Sequence, residues 1–143
     1  SVFIFNSAGE VLLQQRTAQK FLWPLYWSNA CCSHPRAGEE SDEAAHRRLK
    51  QELGISVPLT YLYKFEYHAR YQNVGSEHEL CWVWVGISEA KDIVPNSNEV
   101  ANWRFFSREE LDKELSQNPE SYTPWMKMEW ERIFKDHQDV LSN

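Results

Sequence analysis

Cys32-Ser33-His34 is the first place along this chain where side chains capable of acid–base chemistry fall at a useful spacing. On an extended strand, residues two apart share a face, so Cys32 and His34 are expected on one side while Cys31 turns to the core. A thiol beside an imidazole can have its pKa lowered and move a proton. Taken alone, a small buried Cys next to a hydrogen-bonded turn His is the commoner arrangement. Glu77-His78-Glu79 is the second such place. Two like charges so close are unfavourable unless a cation or a shared proton compensates them. With His34 they make an oxygen and nitrogen donor set suited to Mg²⁺, Mn²⁺ or Zn²⁺, while a solvated acidic loop is the plain alternative. The third place is the segment from Glu43 to Glu52. Glu39, Glu43 and Glu52 offer carboxylates for a second cation bridging a diphosphate, and Arg48 with Arg16 and Lys20 offers cations for the phosphates themselves. An ordinary charged surface helix has the same composition.

These residues need a scaffold, and the pattern around them supplies one. Val2 to Phe5 and Val11 to Gln15 read as strands joined by the turn-like Asn6-Ser7-Ala8-Gly9. Arg16 to Trp23 is a polar, basic connection, and Tyr26 to Pro35 is expected to be extended until Pro35 stops it. Ser41-Asp42-Glu43 opens a helix whose acidic first turn suits the N-terminal dipole. Ala44, Ala45, Leu49 and Leu53 form its apolar face, and Gly54 is its natural stop. Leu59 to Tyr71 predicts one or two strands, Leu80 to Ile87 a near-continuous buried strand, and Trp103 to Phe106 a short one. Ser107-Arg108-Glu109-Glu110 has capping-box spacing, and Thr123-Pro124-Trp125 opens a last helix with Pro in its first turn. The pattern contains no repeat, linker or low-complexity stretch, which predicts one α/β domain over residues 1–143 with a mixed sheet.

The bulk numbers bound the possibilities. The 143 residues suffice for one hydrophobic core, and 42 % apolar with 25 % charged residues is globular composition. A net charge of −6 disfavours a nucleic-acid surface but allows a local basic cluster for a small anion. No apolar run approaches about 20 residues, so no membrane-spanning helix is expected, and no secretory signal is readable. Cys31, Cys32 and Cys81 form a poor disulfide framework, which points to free thiols and a cytoplasmic setting. The chain starts directly in its first strand, so an N-terminal segment is expected to be missing.

Trp27-Ser28-Asn29-Ala30-Cys31-Cys32-Ser33-His34-Pro35 resembles the cysteine motif of the type I isopentenyl diphosphate isomerases. Tyr67 followed by Glu77-His78-Glu79 resembles that family's active-site Tyr and Glu-x-Glu pattern, and Thr123-Pro124-Trp125-Met126 its C-terminal Pro-Trp motif. The likeness covers nearly the whole chain and implies a Nudix-type α/β/α sandwich. Glu52-Leu53-Gly54-Ile55 resembles the end of a Nudix box. The box is altered, however. Where a hydrolytic helix has Arg-Glu and then paired glutamates, this chain has Arg47-Arg48 and Gln51-Glu52, with Ser33 at the leading Gly. Losing two metal-holding carboxylates disfavours water attack.

The resemblance implies isomerisation of isopentenyl to dimethylallyl diphosphate, a step of isoprenoid biosynthesis. His34, Glu77 and Glu79 would bind the catalytic divalent metal. Cys32 and Glu79 would exchange protons from opposite faces of the substrate, with Tyr67 hydrogen-bonding nearby. Trp125 would stabilise the cationic intermediate through its π face, worth about 2 kcal/mol when desolvated. Arg16, Lys20, Arg48 and a Mg²⁺ on Glu52 would hold the diphosphate. The family draws two further His ligands from an upstream segment, so weak or absent metal is expected in this chain alone. A Nudix hydrolase of a nucleoside or other diphosphate and a non-catalytic diphosphate-binding homologue are the alternatives.

Overall fold

The computed structural model describes residues 1–20, 22–32, 35–71 and 75–136, without the side chains of residues 65, 67, 70, 76–80, 134 and 136. Strands β1 (Val2–Phe5), β2 (Val11–Arg16) and β3 (Trp27–Ser28) precede helix α1 (Ser41–Leu53). Strands β4 (Thr60–Tyr71), β5 (Gly75–Ile87) and β6 (Val100–Phe106) follow, then helices α2 (Arg108–Gln117) and α3 (Pro124–Asp136). The strands form one mixed sheet in the order β3-β2-β1-β5-β4, with β6 also paired to β2. β1 runs parallel to β5, and the other pairings are antiparallel.

β1 is apolar at every position because both faces of the sheet are covered. Val2 and Ile4 pack in one layer with Ala45, Leu49 and Leu53 of α1. Phe3 and Phe5 pack in the other with Leu111 of α2 and Trp125, Met126, Trp130 and Ile133 of α3. Burying each such side chain fully stabilises the fold by roughly 1.5–3 kcal/mol before chain entropy is counted. The pleat also separates the adjacent cysteines: Cys31 belongs to the α1 layer and Cys32 packs against the α3 layer.

The helix ends follow the sequence signals. α1 starts at Ser41 as expected, with a capping box between Glu40 and Glu43. It stops at Gly54, whose φ of 69° is the left-handed conformation glycine tolerates. A Cβ there would also sit 2.9 Å from Val94, so glycine lets the chain after β5 dock on the helix end. Ser107 caps α2 with Glu110 completing the box.

β4 is a single long strand, one of the two forms expected over Leu59 to Tyr71, whereas β6 starts at Val100, not Trp103. β5 starts at Gly75, so Glu77-His78-Glu79 lies inside the β4–β5 ladder and not ahead of it. That polar stretch has no apolar alternation to mark it as strand; the ladder with β4 forms it. Nor is β5 buried throughout, since Ile87 is exposed. Among the described residues no helix is long and apolar enough to cross a membrane.

Candidate active site

The Cys32 end is built on side-chain bonds to backbone. Val2 donates its N–H to the Cys31 carbonyl at 2.9 Å, tying the cysteine segment to β1. The fully buried Asn29 amide donates to the carbonyls of Val2 (3.1 Å) and Cys31 (2.8 Å). The thiol of Cys32 lies 3.8 Å from Asn29 Oδ1, a weak sulfur contact. Ser28 Oγ and Thr123 Oγ1 share a hydrogen bond at 2.9 Å, and Thr123 N–H donates to the Trp27 carbonyl at 2.9 Å. This last pair brings the start of α3, and with it Trp125, against the cysteine segment. Burial pushes the Cys32 thiol up to about 11, with Glu129 and Glu52 adding to the rise and Arg16 opposing it. At neutral pH Cys32 therefore holds its proton.

The charged end gathers side chains from β2, α1 and the approach to β6. Lys20 Nζ sits 2.8 Å from Glu99, and Arg48 Nη2 lies 3.1 Å from Glu52 and 3.5 Å from Glu99. Arg16 behaves differently from a simple phosphate ligand. Its Nε donates to the Trp23 carbonyl at 3.1 Å and its Nη2 to the Leu22 carbonyl at 2.9 Å. Glu52 is 6 % exposed, and its Oε2 has no protein partner. Burial raises its carboxyl to about 7 against the pull of Arg48, Lys20 and Arg16, while the Lys20 hydrogen bond holds Glu99 below its usual range. Of the other carboxylates expected near a second cation, Glu39 is bound to Arg47 at 2.9 Å and Glu43 caps α1. Glu52 is the one left for that job.

The apolar end is aromatic. Trp125 is 2 % exposed, with the Trp23 ring edge-on at 5.2 Å and 90° and the Arg16 guanidinium 5.5 Å from its centroid. Trp23 also meets Tyr71 at 5.5 Å, and Tyr71 meets Tyr26 edge-on at 5.9 Å.

Two residues escaped the sequence reading. Glu99 reaches the cations because Val94 N–H and Asn96 N–H donate to the carbonyls of Leu53 and Glu52, both at 2.8 Å, and because β6 pairs Val100 with Arg16. No local pattern encodes that docking. Glu129 is 1 % exposed and lies against the buried Ser1 amino terminus. Burial raises its carboxyl to about 7, and the Ser1 ammonium opposes that rise. It did carry a signal: it lies one helical turn after Trp125, inside the apolar stripe of α3.

His34 lies outside the described residues. For Tyr67, Glu77 and Glu79 the backbone is described and the side chains are not: Tyr67 pairs with Glu79, and Ala69 with Glu77. Among the described residues no cluster of three or more His, Cys, Asp or Glu is placed to hold a metal ion.

The NUDIX domain family model matches residues 1–126. Isopentenyl-diphosphate Delta-isomerase 1 of Photorhabdus laumondii is 44 % identical over 143 residues, spanning 99 % of this chain and 81 % of that protein. The isopentenyl-diphosphate Delta-isomerase of Pectobacterium atrosepticum is 40 % identical over 135 residues, spanning 93 % of this chain and 74 % of that protein. Among solved structures, the MutT protein of Methanosarcina mazei Go1 superposes with a TM-score of 0.73 at 19 % identity, covering 94 % of this chain and 90 % of its own. DR0079 of Deinococcus radiodurans gives 0.72 at 18 %, covering 90 % and 77 %. At those identities the two structures speak to the fold alone.

Proposed function

We propose a reaction for this chain from one premise: it belongs to the NUDIX domain family and, within it, to the isopentenyl-diphosphate Delta-isomerases. The reaction is the isomerisation of isopentenyl diphosphate to dimethylallyl diphosphate. One group delivers a proton to the terminal methylene, a tertiary cation forms at the adjacent carbon, and a second group removes a proton from the neighbouring CH₂. No atom of the diphosphate changes bonding.

Cys32 and Glu79 are the proton-handling pair in this reading, with Tyr67 beside them. A thiol kept protonated by burial is ready to donate. Trp125 offers its π face to the cation. Arg48 and Lys20 bind the phosphate oxygens, and Arg16 joins through Nη1, which has no protein acceptor among the described residues. Lys20 and Arg48 exchange a carboxylate neighbour for the substrate anion.

A divalent cation fits the charged end, because Glu52 presents a buried oxygen without a protein partner. Glu52 would hold Mg²⁺ there, and His34, Glu77 and Glu79 would hold a second Mg²⁺, Mn²⁺ or Zn²⁺. When bound, these ions neutralise diphosphate charge and fix carboxylate orientation. Cys31, Cys32 and Cys81 are in no disulfide among the described residues, which suits a reducing, cytoplasmic setting.

The observation that carries isomerisation over hydrolysis is the surface α1 turns to the charged end. There Arg48 donates to the oxygen of the neutral Gln51 at 2.9 Å and pairs with Glu52 at 3.1 Å, while Glu39 is held by Arg47. Such a surface grips an anion and lacks the carboxylate set that arms a water. The test uses the full-length gene product with Mg²⁺. Conversion should fall about 10³-fold or more in Cys32→Ala while inorganic diphosphate still binds. Turnover indifferent to Cys32, with phosphate released, would mean a hydrolase.

A further inference from the structure

Trp23 has a function in none of the roles above, yet it occupies the least comfortable backbone position described. Its φ is 51°, and Leu25 follows at 64°. These are the non-glycine residues with positive φ among those described, and they flank Pro24. Bulky side chains avoid this left-handed region, and a residue before proline is normally extended. Such strain persists only where surrounding contacts overdetermine it, and it concentrates at functional sites.

The contacts responsible are specific. Arg16 grips the carbonyls of Trp23 and Leu22 through Nε and Nη2. Its backbone carbonyl accepts from Leu25 N–H at 3.1 Å, and its N–H donates to the Tyr26 carbonyl at 2.9 Å. The loop is thus folded around one arginine. The outcome is a Trp23 ring that is 3 % exposed, perpendicular to Trp125 at 5.2 Å and backed by Tyr71 at 5.5 Å. The same guanidinium stands 5.5 Å from the Trp125 centroid.

We propose that Trp23 is the positioning residue for Trp125: clamped by Arg16 and backed by Tyr71, it fixes the indole orientation that the substrate's cationic carbon requires. The inference rests on the isomerase reading. Orientation decides the effect, because an aromatic ring attracts a cation at its face and repels it at its edge. The α3 backbone fixes where Trp125 begins and leaves both of its side-chain torsions open. The packed core limits that freedom, and the perpendicular Trp23 ring at 5.2 Å sets which way the indole edge faces. Because Arg16 both shapes the Trp23 loop and is assigned to the phosphates, capture of the diphosphate and orientation of the ring are linked through one side chain. Simple core filling would call for neither a left-handed backbone nor a guanidinium.

The test compares two ligands on full-length protein carrying Trp23→Leu or the milder Trp23→Phe. One ligand is (dimethylamino)ethyl diphosphate, protonated where the cationic carbon would form. The other is the neutral isopentyl diphosphate. Trp23→Leu is expected to lower kcat and the preference for the ammonium ligand about 10-fold each, with KM and isopentyl diphosphate affinity within about 2-fold, and Trp23→Phe to fall between. Isopentyl diphosphate binding doubles as the folding control. If Trp23→Leu fails that control, Trp23→Phe decides alone. A folded variant that keeps both kcat and ammonium preference overturns the inference. Unmodified protein with neither turnover nor ammonium preference overturns the isomerase reading, and this inference falls with it.

Discussion

At one end of the site Arg16, Lys20 and Arg48 stand half-buried among carboxylates, Lys20 2.8 Å from Glu99 and Arg48 3.1 Å from Glu52. At the other, Trp125 and Glu129 are enclosed by rings and aliphatic side chains, and Cys32 is partly buried against them. The first end pairs Lys20 and Arg48 with carboxylates, so an incoming diphosphate would replace partners already held at ionic distance. At the second end burial drives the Cys32 thiol and the Glu129 carboxyl toward their protonated forms, the latter against the pull of the buried Ser1 ammonium, and at the first end burial raises Glu52 in the same way. In the proposed reaction a cation formed there would lie against rings and aliphatic side chains, where a π face stabilises it more strongly than in solvent. One substrate with an anionic head and a transiently cationic tail asks for both environments.

The sharpest way to break this contrast is at Glu129. Its folded-state pKa of about 7 lies above the ordinary 4.5, so the folded protein binds the proton more tightly than the unfolded chain. Folding therefore suffers no penalty below pH 4.5, a growing one between 4.5 and 7, and the full amount above 7, about 3 kcal/mol. Glu129→Gln should raise the melting temperature of this chain at pH 8 by several degrees and leave it almost unchanged at pH 4.5. Glu52, shifted the same way, keeps part of the pH slope in the variant. Parallel melting profiles for the two proteins would mean that Glu129 is not held neutral by burial.

A smaller effect probes the charged end. Glu99→Gln frees Lys20 and Arg48 from a competing anion, so inorganic diphosphate should bind about 3-fold more tightly without added metal. Titration calorimetry reads this directly. A large loss of affinity instead would show that Glu99 aligns the cations.

What the sequence revealed and what it hid divide along physical lines. The cysteine pair was legible because alternation along an extended backbone is local, and the layers confirm it: Cys31 faces α1 and Cys32 faces α3. The end of α1 was legible because only glycine enters the left-handed region freely at Gly54. Glu99 was not, since its place depends on how the 94–96 segment docks on α1 and how β6 registers against β2. The second role of Arg16, as the tie for the Leu22 and Trp23 carbonyls, required the loop to be seen. Glu129 lay in plain view as a carboxylate in an apolar helical stripe and was passed over in favour of Trp125.

The central claim is that this site moves a double bond and leaves the diphosphate intact. Incubating isopentenyl diphosphate in D₂O with the full-length protein and Mg²⁺, and following ¹H and ³¹P NMR, reads both halves at once. The expected result is dimethylallyl diphosphate carrying deuterium in the methyl group derived from the terminal methylene, with no free phosphate. Release of phosphate, or isopentenyl diphosphate recovered unlabelled and unconverted, would contradict the account.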